Sequence, residues 1–289
     1  MNSSILAIVF VLIMAVLLIG CSAVSSSADA APRVQCISQR MQEFVGQKQI
    51  AGAVTLVASP QRVVHLGAVG YSDLEKNTPM RTDNIFWIAS MTKPITATAV
   101  LMLHERGKLN IDDAAEKYIP EIGRMRSKDG TAVRITLRHM LTHTSGMTDN
   151  SPEETRNAKT LADLIPGFTS RPVSFAPGSQ WQYCQSGINS LARIVEIVSG
   201  TSFDQFLRKE LFSPLGMKDT GFYLSPEQKS RLAKSYKFVN GQGEEASVFI
   251  LDGHDVTYRY RYPAANGGLF STAVDYGRFA RMVLNGGQL

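Results

Sequence analysis

The sequence has few of the residues that mark metalloproteins, disulfide scaffolds or nucleic-acid-binding proteins. Its only cysteines are Cys21, Cys36 and Cys184, whose spacing fits no metal site, and we expect Cys36 and Cys184 to remain unpaired. The net charge is +5, but no lysine or arginine run is long enough to bind nucleic acid. Segment 258–262 (YRYRY) is better read as a strand or pocket rim than as a nucleic-acid platform. The sequence therefore predicts no metal, no cofactor and no nucleic-acid partner.

Two common catalytic motifs are also missing. There is no G-x-S-x-G turn, which argues against an α/β-hydrolase. His139 and His143 lie four residues apart on a predicted helix, but Met140 stands where a zinc protease of that pattern needs glutamate. Capping and packing are the better interpretation of these two histidines.

One long apolar run is present, at the N-terminus. Residues 5–19 would span about 22 Å as a helix, which is short of the roughly 30 Å of a bilayer core and favours a signal peptide over residues 1–20. The run ends in LIGC, which resembles the lipobox of bacterial lipoproteins, so Cys21 is predicted to be lipidated. The segment MNSS before it lacks the usual basic residue, so an uncleaved anchor or a plain secretory signal remain open. Each alternative places the protein outside the cytoplasm, on the periplasmic side or the cell surface.

Residues 21–33 are small and polar and are predicted to be a flexible tether, and residues 34–289 to form a single domain. Apolar periodicity predicts a hairpin over 53–58 and 62–69. It predicts helices over 34–48, 90–106, 136–142, 188–198, 201–211 and 275–284. The residues at 201–204 have the form of a capping box.

The start of the helix at 90–106 carries the main functional signal, in the stretch ASMTKP. Pro94 is tolerated only in the first turn of a helix, which places that start near Ser90. Ser90 and Lys93, three residues apart, then share one helix face. A desolvated lysine at the positive end of a helix can serve as a base for a serine nucleophile. The alternative interpretation is a capping serine with a surface lysine.

Five ordered stretches resemble the serine β-lactamase-related family, which includes class C β-lactamases, D-Ala-D-Ala carboxypeptidases and family VIII carboxylesterases. They lie at residues 86–113, 135–147, 177–200, 211–222 and 266–287. The resemblance implies an α+β fold in which an antiparallel sheet flanked by helices adjoins a mostly helical lobe.

The resemblance also implies an acyl-enzyme mechanism. Ser90 would be the nucleophile and Lys93 its activating partner, while Tyr183 would match the tyrosine of the family's Tyr-x-Asn motif and exchange a proton with Ser90. Gln185 stands at the third position of that motif in place of asparagine. Its amide could still hold a substrate carbonyl, but the side chain is one methylene longer, which disfavours β-lactam positioning.

The family pattern continues beyond LNGGQL, where this sequence stops. We therefore expect the domain to lack its last strands and helix and the third family motif, and the 289-residue chain to turn over weakly or not at all.

Three functions follow as hypotheses. The first is an exported serine hydrolase acting on small esters or peptide-like amides, with the esterase favoured by Gln185. The second is a β-lactamase or D-Ala-D-Ala carboxypeptidase. The third is a non-catalytic relative that binds peptidoglycan or another partner, held at the membrane by its lipid.

Overall fold

The computed structural model describes residues 30–251 and 253–288, and within these ranges it is a mixed α+β fold. The predicted signal peptide and Cys21 lie outside the described residues. The α-helices are α1 (Ala30–Gly46), α2 (Thr92–Glu105), α3 (Leu137–Leu141), α4 (Pro152–Asn157), α5 (Ile165–Thr169), α6 (Gln185–Ser199), α7 (Phe203–Leu207), α8 (Pro226–Ser230) and α9 (Ala273–Leu284). The strands are β1 (Gly52–Ala58), β2 (Val63–Asp73), β3 (Thr78–Pro79), β4 (Phe86–Trp87), β5 (Tyr236–Val239), β6 (Gln242–Glu245) and β7 (Phe270–Ser271).

The main sheet is antiparallel in the order β1-β2-β3, which confirms the predicted fold class. The predicted hairpin forms its first two strands, in one register from Gly52 opposite Gly70 to Val57 opposite His65, after which the register shifts so that Ala58 lies opposite Val63. Helix α1 packs against β1 and β2, and α9 packs against β1. A Cβ atom on Gly277 of α9 would lie 3.0 Å from the Leu56 side chain, so glycine permits this close approach. The two helices cover the sheet only in part, since most of β1 is half-buried and Val57, Val63, Val64 and Leu66 remain exposed.

Helix α6 is the centre of the helical part. Its periodic apolar residues Ile188, Leu191 and Val195 are almost completely buried, and Gly200 ends the helix in a left-handed conformation with φ of +71°. Helices α2, α3 and α7 all pack against α6. This packing brings the first turns of α2 and α6 to the same region of the molecule.

A two-stranded sheet connects distant parts of the chain beside α2. In β4 and β7, Phe86 pairs with Ser271 and Trp87 with Phe270. The strands are only two residues long, too short for alternation to reveal them. Their pairing lays residues 264–269 alongside the start of α2.

Three local predictions fail or need adjustment. No side-chain capping bond forms at the start of α7, because the Ser202 hydroxyl donates to the Asp204 carboxylate instead. Residues 258–262 form no strand; Arg259 and Arg261 both lie over the ring of Tyr223, at 5.8 and 4.9 Å. Helix α1 begins at Ala30, so the last residues of the predicted tether are helical.

Candidate active site

The α2 helix starts as the position of Pro94 predicts. A 3₁₀ turn over Ala89–Met91 leads into the helix at Thr92, which puts Pro94 in the first turn. The N–H groups of a first turn have no partner within the helix, so proline removes no hydrogen bond there. Ala89 has a φ of +45°, a left-handed conformation that is unusual for alanine. This turn leaves Ser90 exposed to solvent, while Lys93 is only 9% exposed.

The structure brings Ser90, Lys93 and Tyr183 together. Lys93 Nζ lies 3.1 Å from Ser90 Oγ, and the Tyr183 hydroxyl lies 2.8 Å from the same oxygen. Lys93 Nζ also sits 4.6 Å from the centre of the Tyr183 ring. One serine oxygen is thus in direct contact with both groups that could exchange a proton with it.

The surroundings of Lys93 favour its neutral form. Burial lowers the pKa of the Lys93 ammonium, and this effect exceeds the opposing influence of its hydrogen bond to Tyr183. Lys93 Nζ also donates to the backbone carbonyl of Asn266, at 2.5 Å. A partly desolvated amine fixed between a hydroxyl and a carbonyl is a suitable base for a serine nucleophile.

Residues 265–269 hold the start of α2 in place through three hydrogen bonds to their backbone and hold β4 through a fourth. Besides the bond from Lys93 to Asn266, Thr96 Oγ1 donates to the Ala265 carbonyl at 2.8 Å. Thr92 Oγ1 accepts from the Leu269 N–H at 3.2 Å. Trp87 Nε1 donates to the Gly267 carbonyl at 2.7 Å. The segment therefore forms one wall of the site.

Gln185 opens α6, directly after Tyr183 and Cys184. Its Oε1 accepts from Asn266 Nδ2 at 3.1 Å, and the Asn266 N–H donates to Asn189 Oδ1 at 3.2 Å. Asn266 thus touches the lysine through its backbone and Gln185 through its side chain. Sequence reasoning missed this residue, although it begins the last of the five family-like stretches.

Asp149 was also missed, whereas His143 was assigned to capping or packing; both support the Tyr183 turn. Asp149 Oδ1 accepts from the N–H groups of Gln185 and Ser186, at 2.6 and 2.9 Å. His143 Nδ1 accepts from the Cys184 N–H at 3.2 Å, and its ring lies 4.6 Å from that of Tyr183. Burial and the charge of Lys93 lower the pKa of His143, so its imidazole is neutral near pH 7.

The remaining cysteine and histidine of this region have structural contacts. Cys184 is a buried free thiol, and burial together with Asp149 raises its pKa to about 12. A thiol with so high a pKa is a poor nucleophile. His139 takes part in the capping box of α3 with Thr136. In the described ranges no group of three or more histidine, cysteine or acidic residues could hold a metal ion.

Comparison with known proteins agrees with this geometry. The family model described as beta-lactamase matches residues 37–289. The chain belongs to the beta-lactamase family. It is therefore a serine hydrolase by family, and the resemblance predicted from the five stretches is confirmed.

The relatives within the beta-lactamase family include proteins named esterases and proteins named penicillin-binding proteins. Esterase EstB of Burkholderia gladioli is 31% identical over 278 residues, covering 86% of this chain and 69% of the relative. Penicillin-binding protein 4* of Bacillus subtilis is 28% identical over 210 residues, covering 69% of this chain and 45% of the relative. Among solved structures, EstCE1, described as a hydrolase with promiscuous acyltransferase activity, matches with a TM-score of 0.78 and 25% identity, covering 91% of this chain and 75% of the other.

No helix among the described residues is both long and apolar enough to cross a bilayer.

Proposed function

We propose that this protein is an exported serine hydrolase that cleaves small esters through an acyl-enzyme formed on Ser90. The observation that carries the proposal is the approach of Lys93 Nζ and the Tyr183 hydroxyl to Ser90 Oγ, at 3.1 and 2.8 Å. If Ser90 only capped α2, it would not need to contact Lys93 and Tyr183. Ser90 does not cap the helix either, because no side-chain hydrogen bond caps α2.

The proposed reaction needs only these side chains and water. Ser90 Oγ attacks the carbonyl carbon of the ester, and its proton passes to the Lys93–Tyr183 pair. The tetrahedral intermediate collapses, the bond to the leaving alkoxide breaks, and the pair returns the proton to the departing alcohol. Water then attacks the acyl-enzyme, which releases the acid and restores Ser90.

The esterase alternative is favoured over the β-lactamase alternative by Gln185 and by the names of relatives. The Gln185 side chain is bonded to Asn266, and it is one methylene longer than the asparagine of the family motif. EstB is named an esterase, and EstCE1 is described as a hydrolase with promiscuous acyltransferase activity. The relatives named penicillin-binding proteins support the second candidate, a D-Ala-D-Ala carboxypeptidase or β-lactamase acting on peptide-like amides or β-lactams. A non-catalytic peptidoglycan-binding role is less favoured, because it would not require Lys93 Nζ and the Tyr183 hydroxyl to meet at Ser90 Oγ.

Two reagents test this proposal. A fluorophosphonate probe should label the wild-type protein at Ser90, identified by mass spectrometry, and should not label Ser90→Ala. Half-buried Ser199, at the far end of α6, provides the control Ser199→Ala, which should label like the wild type. Hydrolysis of p-nitrophenyl acetate in preference to nitrocefin would support the esterase. The reverse preference would favour the second candidate, and failure of wild-type labelling would overturn both.

Export and lipid anchoring are part of the proposal. They rest on the apolar run at residues 5–19 and on Cys21 after LIG. Membrane fractionation of cells expressing the protein should place it in the detergent phase. Cys21→Ala should abolish incorporation of labelled palmitate; unchanged incorporation would refute lipidation at that residue.

A further inference from the structure

Helix α6 begins with a poor cap of its own. Cys184 occupies the capping position, and its Sγ accepts from the Gly187 N–H at a long 3.5 Å. Sulfur is a weak acceptor, so this contact does little for the orphan N–H groups of the first turn. Serine, threonine, asparagine or aspartate would ordinarily stand here.

A carboxylate from another part of the chain takes over that task. Asp149 Oδ1 accepts from the N–H groups of Gln185 and Ser186, at 2.6 and 2.9 Å, and from Cys184 Sγ at 3.4 Å. A negative charge at a helix N-terminus is also favoured by the helix dipole. Asn150 also bonds to the first turn of α6, since its Oδ1 accepts from the Ser186 hydroxyl at 3.3 Å. The anchored residues directly follow Tyr183.

The other side of Tyr183 is fixed by the same loop. The Gln182 N–H donates to the His143 carbonyl at 2.9 Å, and the Cys184 N–H donates to His143 Nδ1 at 3.2 Å. Tyr183 itself is 41% exposed, so burial does not hold its ring. The position of its hydroxyl against Ser90 therefore depends on backbone anchors at residues 182, 184, 185 and 186.

We propose that Asp149 is a positioning residue for the reaction: its carboxylate fixes the turn that carries Tyr183 and Gln185 against Ser90. This inference rests on the proposed function and goes beyond it, because the Asp149 carboxylate bonds to Cys184, Gln185 and Ser186 and not to Ser90, Lys93 or Tyr183. A displacement of about 1 Å at a catalytic group can lower the rate as much as 100-fold. The geometry thus assigns a rate effect to a residue in the 143–149 loop.

The charge of Asp149 adds a second, separable effect. The titratable groups that act on Lys93 are Tyr183, Asp149, Cys184 and His143. The Asp149 carboxylate raises the pKa of Lys93, against the dominant lowering by burial. Replacing the carboxylate by a neutral amide of the same shape should lower that pKa further. Because a base must be deprotonated to act, the acidic limb of the kcat/KM profile should move to lower pH.

Two substitutions at this position separate shape from charge. Asp149→Ala removes both the hydrogen-bond acceptor and the negative charge, and we expect kcat on p-nitrophenyl acetate to fall about 10- to 100-fold. Asp149→Asn keeps an oxygen that accepts the two N–H bonds. It should retain kcat within about threefold and shift the acidic limb to lower pH.

Asp163 supplies a matched control. Its Oδ2 likewise accepts two backbone N–H groups, from Lys159 and Thr160, both at 2.9 Å. Asp163→Ala should change the Tm about as much as Asp149→Ala but leave kcat and the pH profile unchanged.

The results distinguish this inference from the proposed function. If the wild type labels at Ser90 and Asp149→Ala has wild-type kcat, the positioning role is overturned while the hydrolase stands. If Asp149→Ala fails to fold, Asp149→Glu decides, because it keeps the charge but displaces the carboxylate by one methylene: wild-type kcat would refute the positioning role, and a lower kcat with an unshifted acidic limb would support it. For Asp149→Asn, an unshifted acidic limb would refute the separate effect of the charge.

Discussion

The two helices that meet at the candidate site begin in different ways. Helix α2 has no side-chain cap, and its start is determined by neighbours in sequence: the 3₁₀ turn at Ala89–Met91 and Pro94. Helix α6 also lacks an effective cap of its own, but Asp149, 36 residues earlier in the chain, provides one. The turn that carries the nucleophile thus takes its conformation from local geometry and its support from residues 265–269, whereas the turn that carries Tyr183 depends on a distant carboxylate. Substitutions at the two helix starts should therefore affect activity and stability in different ways.

The largest effect is expected at Lys93, which contacts partners from both helix starts. Lys93→Met should lower kcat/KM by about 10³-fold or more, since it removes the base next to Ser90. It should also raise the free energy of unfolding by about 1 kcal/mol, because an amine desolvated by burial is replaced by an apolar chain. Steady-state kinetics and urea denaturation measure the two effects.

The stability gain should depend on pH in a defined direction. Because the pKa of Lys93 is lowered in the folded state, the unfolded state binds more protons, and wild-type stability rises with pH. The difference in unfolding free energy between Lys93→Met and the wild type should therefore become smaller as the pH rises from the lowered pKa of Lys93 to its ordinary value of 10.5. An advantage that grows with pH would contradict the assignment of Lys93 as a desolvated amine.

Removing the hydroxyl of Tyr183, just before the start of α6, should have the next largest effect on activity. Tyr183→Phe keeps the ring against His143 but loses the 2.8 Å contact with Ser90 Oγ. We expect kcat to fall about 10²- to 10⁴-fold, the usual contribution of general acid–base catalysis. Tyr258→Phe, in the 258–262 segment, is the control. Equal activities of the two variants would remove Tyr183 from the mechanism.

The wall that supports α2 can be loosened without touching the reacting groups. Thr92 is fully buried; its Oγ1 donates to the Ala89 carbonyl at 2.7 Å and accepts from the Leu269 N–H. Thr92→Val leaves the buried Leu269 N–H without a partner, whereas the Ala89 carbonyl keeps its bond from the Thr92 N–H, and the change should cost about 2 kcal/mol in unfolding free energy. Thr98→Val, which loses only a bond to the Pro94 carbonyl in the same helix, should cost less than half as much. Similar losses in both variants would show that the wall contributes little.

The smallest effect is expected at the turn before Ser90. Glycine adopts the φ of +45° at Ala89 without the steric cost that alanine has there, so Ala89→Gly should stabilise the protein by up to about 1 kcal/mol. Ala97→Gly, in the interior of α2, should instead destabilise it by about 1 kcal/mol. Thermal unfolding compares the two, and a loss at both positions would mean that the left-handed turn carries no strain.

The contrast between local contacts and contacts from distant residues also explains which parts of the site could be predicted from the sequence. Ser90 and Lys93 were found because their spacing and Pro94 act within one helical turn. Tyr183 and Gln185 came from the family resemblance. His143 and Asn266 act over 41 and 173 residues, largely through backbone groups. No periodic pattern encodes such bonds, although both residues lie inside family-like stretches. The hairpin and the long helices were predicted from apolar periodicity, whereas β4 and β7 arise only from long-range pairing.

The indole groups of this protein give the site an optical reporter. The sequence contains two tryptophans, and both border the region around Ser90. Trp87 is bonded to Gly267 in the wall beside α2, and Trp181 is 63% exposed with its ring 6.4 Å from that of Tyr183. Intrinsic fluorescence should therefore change when a ligand displaces solvent from Trp181. Binding and acylation could then be followed in real time, without any label.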